Sequence, residues 1–129
     1  MGQSELAVTA SVEADLRALQ DWLAEDPDLR SRVHVRESPP APGTLGPVLE
    51  ALLVAVGPGG VASAFAATLI SWIRHRTGDV QLRVTRGDGS VVEISGTHVR
   101  ELTPAELRDL LRQLAETWAD GGDQAAEPP

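Results

Sequence analysis

Apolar positions along the chain repeat first with a strand period, then with a helix period, and the alternation marks out its elements. Leu6, Val8 and Ala10 alternate with Ala7 and Thr9, the period-two pattern of a short strand. Val12, Leu16, Leu19 and Leu23 then recur every three or four residues, one stripe of a helix. Trp22 lies at the edge of that stripe, Ser11 is placed to cap the helix, and Glu25-Asp26-Pro27 ends it. Val33 and Val35 alternate with Arg32, His34 and Arg36, a second strand with one solvated face. Ser38-Pro39-Pro40-Ala41-Pro42-Gly43 is a stiff, extended connector. Farther on, Val80, Leu82 and Val84 alternate with polar residues, Gly87-Asp88-Gly89 turns the chain, and Val92 and Ile94 continue, so 80–95 reads as a hairpin. The tripeptide Arg86-Gly87-Asp88 is assigned to this turn. Thr103-Pro104-Ala105-Glu106 is a capping box with proline at the first helical position. Leu107, Leu110, Leu111, Leu114 and Trp118 make the stripe of the last helix, which Gly121-Gly122 stops.

Between the connector and the hairpin lies an apolar block, residues 45–76, in which the 23 residues from Ala51 to Ile73 carry no formal charge. It has three readings. In the first, Leu45, Val48, Leu49, Leu52, Leu53 and Val56 form one helical face, Gly57-Pro58-Gly59-Gly60 breaks the helix, and Val61, Phe65, Thr68, Leu69, Trp72 and Ile73 form a second stripe. On the far side of that second helix, Gly59, Ser63, Ala67 and Ser71 are spaced by four, small residues that admit another helix closely. In the second reading the block spans a membrane, with Trp72 and Arg74-His75-Arg76 at the interface. The glycine-proline break leaves each arm about 18–24 Å long, short of a ~30 Å hydrocarbon core. In the third, a strand runs into G-x-G-x-x-A at Gly57, Gly59 and Ala62 and then a helix, a nucleotide fingerprint with Asp79 as the following acid. Asp79 precedes the next strand instead of closing it, and a Walker loop is excluded because the chain has no lysine. The helical hairpin is the preferred reading.

Composition narrows the field. A chain of 129 residues is one domain, here 1–118 followed by a disordered acidic tail at 119–129. All eleven basic residues are arginine, and lysine, asparagine, tyrosine and cysteine are absent. Without cysteine there is no disulfide, thiol nucleophile or thiolate metal site. A net charge of −8 argues against nucleic acid as a partner. Met-Gly-Gln-Ser-Glu lacks the basic and apolar regions of a signal peptide, so a cytoplasmic location is expected.

The predicted order is β-α-β-(αα)-β-β-α, an α+β fold with a small four-stranded sheet and a central apolar helical hairpin. Phe65, Ile70, Trp72 and Ile73 exceed what such a sheet hides, which points to a sister subunit. No catalytic constellation emerges: His34, His75 and His98 are far apart, and Glu50, the one acid inside the apolar block, is placed on the polar edge of its helix in preference to a buried position. Asp15, Asp21, Glu25, Asp26 and Asp28 read as a solvated acidic face. No cofactor and no metal are expected.

The run D-W-L-x-x-D-P-x-L-R at Asp21 to Arg30, and the P-G-x-L-G, G-x-G-G and L-x-x-W-I-R segments from Pro42 to Arg74, resemble the effector-associated constant component family of bacteria, over roughly residues 5–118. The resemblance implies a non-catalytic protein encoded beside variable effectors, among them trypsin-like and caspase-like proteases and nucleotide-switch ATPases, in conflict systems such as phage defence. It carries no catalytic residues to this chain. Two functions are consistent with it. One is an oligomerising interaction or scaffold module on which an effector docks through the exposed sheet or the acidic helix. The alternative is a latent pore-forming executioner, released by a partner protease, that enters the membrane through the hairpin at 45–76. Either way the expected interaction or insertion surface is Leu52, Leu53, Val56, Gly57, Pro58, Gly59, Gly60, Ser63, Phe65, Ala66, Ala67, Ile70, Trp72 and Ile73.

Overall fold

The computed structural model describes residues 5–39, 42–43, 48–57, 61–76 and 78–119. Five strands form one antiparallel sheet: β1 (Glu5–Ala10), β2 (Val33–Ser38), β3 (Val48–Ala55), β4 (Gln81–Arg86) and β5 (Val91–Ser95), in the order β2-β3-β1-β4-β5. The helices are α1 (Glu13–Ala24), α2 (Val61–His75), the short α3 (Gly96–Arg100) and α4 (Pro104–Trp118). The strand order follows from two crossovers. A strand–helix–strand connection returns its second strand parallel to the first. The β1-α1-β2 crossover leaves a slot that β3 fills, and the β3-α2-β4 crossover leaves a slot that β1 fills. Two split β-α-β units thus share β1 and β3 at the centre of the sheet.

Strand alternation then sorts the side chains. Leu6 and Val8 of β1, Leu52 and Val54 of β3, Leu82 and Val84 of β4 and Ile94 of β5 point to one face and are buried. Against them pack Leu16, Leu19 and Leu23 of α1 and Phe65, Leu69, Ile70 and Ile73 of α2, in a single core. Helix α4 lies along α2, with Leu114 and Trp118 buried and the Trp118 ring tilted against Phe65 at 5.4 Å. Among the described residues no helix lies on the opposite face of the sheet.

The first arm of the predicted hairpin is a strand. Residues Val48–Ala55 are β3, so the sheet has five strands instead of four and the helical hairpin is replaced by a strand and one helix. A β-bulge explains the misreading. Arg36 pairs with Ala51 and Glu37 with Leu49, so Glu50 has no register partner. The extra residue shifts the phase, and Leu49 and Leu52, three apart, are both buried. That spacing imitates a helix. Glu50 accordingly sits on a strand, exposed and 3.5 Å from Arg36, not on a helix edge. A smaller correction concerns the start of α1. Val12, not Ser11, is the N-cap of α1 and its side chain makes no cap bond, while the Ser11 N–H donates to the Gln81 carbonyl. Between the hairpin and the capping box, residues 96–100 form α3, with the Ser95 hydroxyl accepting from the His98 N–H.

Other expectations hold. The Thr103–Glu106 capping box is formed in both directions. The hairpin turns where expected, with the Asp88 carboxylate accepting from the Ser90 N–H and hydroxyl, contacts that lower its pKa. The predicted tail, apart from Ala119, falls outside the described residues, as do Pro58, Gly59 and Gly60.

Glu13 ties the bulge to α1. Its Oε2 accepts from the Leu49 N–H at 2.8 Å and from Arg17 at 2.7 Å, and these two contacts, the backbone one first, lower its pKa. A carboxyl with a lowered folded pKa contributes stability above its ordinary range and loses it as pH falls through the folded value. Replacing Glu13 with Gln will therefore lower the melting temperature at neutral pH. In a series of melts, the gap from wild type will narrow as pH drops below about 4.3; a gap independent of pH would show that the charge contributes nothing. Separately, Phe65→Ala will cost about 3–5 kcal/mol in urea unfolding, the range for removing a large buried aromatic.

Candidate interaction surfaces

Helix α2 meets the sheet, α1 and α4, and only a narrow ridge reaches solvent. Leu52, Val56, Phe65, Ala66, Ile70, Trp72 and Ile73, all expected at an interaction or insertion surface, are buried inside this single chain. No sister subunit is needed to cover them. Leu53 and Gly57 are half-buried, and Ser63 and Ala67 are exposed. None of the described helices is long and apolar enough to cross a membrane.

The outer ridge of α2, with Ser63 and Ala67 exposed and Ser71 half-buried, runs between α1 and α4. Grooves border it on both sides. Trp22, Glu25, Asp26 and Pro27 face Ala67, Thr68 and Ser71 across a groove of about 470 Å³. Beyond the ridge, Arg74, His75, Leu107 and Leu111 line one of about 330 Å³. Near the end of α4, Leu111, Arg112, Ala115 and Glu116 border Ser63 in a third, of about 470 Å³.

The end of α2 is locked to its neighbours. Arg76 pairs with Asp15 of α1 at 2.9 Å and lies 5.1 Å from the Trp72 ring centroid. Arg100 of α3 donates to the carbonyls of Arg76 and Gly78. The rings of Trp22 and His75 meet at 6.0 Å. Buried Trp118 is less well served: its indole Nε1–H finds no acceptor among the described residues.

The helix-free face of the sheet is the second surface. Register aligns His34, Leu53, Ala7, Thr85 and Val91 in one row across all five strands. Beside that row Arg83 pairs with Glu93 at 2.6 Å.

The three histidines stand apart in the fold. His34 is on β2, His75 at the end of α2 and His98 on α3, all exposed. Among the described residues no three His, Cys, Asp or Glu side chains are grouped to hold a metal ion. The strand-then-helix order of the nucleotide reading is present, but β3 runs antiparallel to both neighbours, where dinucleotide folds have parallel strands. Asp79 accepts from Gln81 and Thr97 within the fold.

With the architecture in hand, the family can be assigned. The family model of Effector Associated Constant Component 1 matches residues 8–115. The chain belongs to that family. No curated protein and no solved structure is significantly similar to it. As its name states, this Effector Associated Constant Component 1 chain is a component associated with effectors, the coarse function that the sequence resemblance implied.

Sequence reasoning missed the Trp22 groove. The signal was partial: Trp22 sits off the leucine stripe of α1, but Ala67, Thr68 and Ser71 join it only through the fold. The contrast along α2 gives a direct test. Ala66→Asp buries an unpaired charge, worth several kcal/mol against a total stability of about 5–15 kcal/mol, and will abolish cooperative folding. Ala67→Asp, one residue on and exposed, will stay within about 0.5 kcal/mol of wild type in the same urea titration.

Proposed function

We propose that this chain is a non-catalytic, oligomerising interaction module that holds a neighbouring effector, such as a trypsin-like or caspase-like protease, in a bacterial conflict system. Membership of the effector-associated family supports the association with an effector. The observation that carries the scaffold reading is the bare sheet face. A two-layer fold leaves one side of its sheet without a helix, and here the row His34–Leu53–Ala7–Thr85–Val91 holds no Asp, Glu or Arg in a chain of net charge −8. Val91 on the edge strand is 47% exposed. A weakly charged centre with charged residues at its margin is the anatomy of a protein-binding patch. Nothing in the fold favours the pore-forming alternative: its first helical arm is strand β3, and the apolar residues of its second arm are core.

Co-expression with the effector encoded beside it, followed by size-exclusion chromatography with light scattering, tests the proposal. The wild-type chain, 13.7 kDa as a monomer, will elute with the effector and at a multiple of its own mass. Thr85→Arg with Val91→Arg, both on the bare face, will release the effector while leaving the melting temperature within a few degrees of wild type. A wild-type chain that stays monomeric and separate from the effector at every concentration would sink the proposal.

A further inference from the structure

The helix-free face of the sheet carries its charge in a second row, next to the row of His34, Leu53, Ala7, Thr85 and Val91. Two residues farther along each strand lie Arg36, Ala51, Thr9, Arg83 and Glu93. Arg36 on β2 and Glu93 on β5 stand at opposite margins, and both are exposed. Each has a partner within the chain: Arg36 lies 3.5 Å from Glu50, and Glu93 lies 2.6 Å from Arg83. One ion pair therefore flanks the sheet on each side. Between the pairs the face is low and uncharged. Ala7, Thr9, Leu53 and Thr85 are half-buried there and Ala51 is buried.

This layout is complementary to itself. Aligned sheets stack about 10 Å apart with their strands within about 30° of each other. Two copies laid face to face about a two-fold axis along β1 bring the β2 margin of one over the β5 margin of the other. Arg36 then meets Glu93 of the second copy, and Glu50 meets Arg83 of the second copy, so each margin becomes a square of alternating charges. The two-fold axis makes that contact twice. At the centre Ala7 meets Ala7 and Thr9 meets Thr9, side chains short enough for close approach, while Leu53 meets Thr85. Glu5, the next open-face residue of β1, lies at the strand end, where the rotated sheets diverge. An axis running across the strands would instead lay β2 on β2 and β5 on β5, arginine margin on arginine margin, and like charges facing across a contact are strongly unfavourable. A chain of net charge −8 repels its own copy at a distance, so self-association needs a face on which the charges cancel. The two margins provide that cancellation.

We propose that a second copy of this chain covers the helix-free face, in a two-fold pair whose axis runs along β1 and whose margins join Arg36 to Glu93. The pairing rests on the reading of the chain as an oligomerising module and deepens it. The effector is held by the pair, so substitutions that part the copies release it as well.

Sedimentation velocity of the full chain, without effector, is the test. At roughly 50 μM the wild type will sediment at twice its 13.7 kDa monomer mass. Arg36→Glu and Glu93→Arg each set like charges opposite one another at both margins, and each will weaken pairing about a hundredfold, leaving monomers. Both positions are exposed, so the melting temperatures will stay within a few degrees of wild type. Mixing the two variants makes every facing pair opposite in charge again, and the mixture will sediment as a dimer. The double variant Arg36→Glu with Glu93→Arg in one chain will do the same. A wild type that stays monomeric, single variants that pair as well as wild type, or a mixture that remains monomeric would overturn the assignment. If a monomer still co-elutes with the effector, the pairing falls and the effector association stands. If the copies pair and no effector co-elutes with them, the effector association falls and the pairing stands.

Discussion

Enclosing α2 is the constraint on which the rest of this structure depends. The helix presents eight buried residues out of fifteen, around more than half of its circumference. One sheet face cannot cover that much. Helix α1 closes one flank, tied through Asp26–Thr68 and Asp15–Arg76, and α4 closes the other through Leu114 and Trp118. The order of the chain serves the same end. Because β3 and β4 flank β1, the crossover carrying α2 passes over the middle of the sheet, where the apolar face is broadest. Each part therefore has a packing reason, and the apolar block that looks like surplus in the sequence is the interior of one small domain.

That enclosure decides what remains for recognition. Phe65, Ile70, Trp72 and Ile73 are not available to a partner while the fold is intact, since exposing them would remove the centre of the core. What α2 offers outward is short: Ser63, Ala67 and Ser71 with the grooves beside them. Small side chains at a surface contribute shape more than energy, so larger neighbours such as Trp22 and Leu111 set the character of each groove.

Much of the fold was legible because its signals were local. The capping box at Thr103 and Glu106, the Asp88 turn and the leucine stripe of α1 each need only a few consecutive residues, and each formed as read. Strand β3 was not legible, for a physical reason. A central strand is flanked by partners on both sides, so Leu53 on the open face is half-buried as well as Leu52 on the closed one, and alternation fades. The bulge at Glu50 then inserted a spacing of three between buried leucines. Counting apolar residues could not separate that from a helix, and the helix reading made the block seem to need a second subunit. The surfaces proposed for binding were even less visible, because they join distant segments: Thr85 and Leu53 share a row only through β1.

The ion pairs fit this division of surfaces. Arg83–Glu93 and Arg112–Asp109 are exposed, and such pairs contribute little to stability. Their larger effect is on the distribution of charge. On the open sheet, Arg83 cancels Glu93, and at the bulge Arg36 offsets Glu50, so this side of the molecule presents little net charge. The acidic excess of the chain is spread instead over carboxylates without an ion pair among the described residues, such as Asp21, Glu25 and Asp28 around the end of α1 and Glu101 and Glu116 near α4. A near-neutral sheet face discriminates partners by fit and excluded water, so contacts made there are insensitive to salt, whereas contacts to the scattered carboxylates weaken as ionic strength rises.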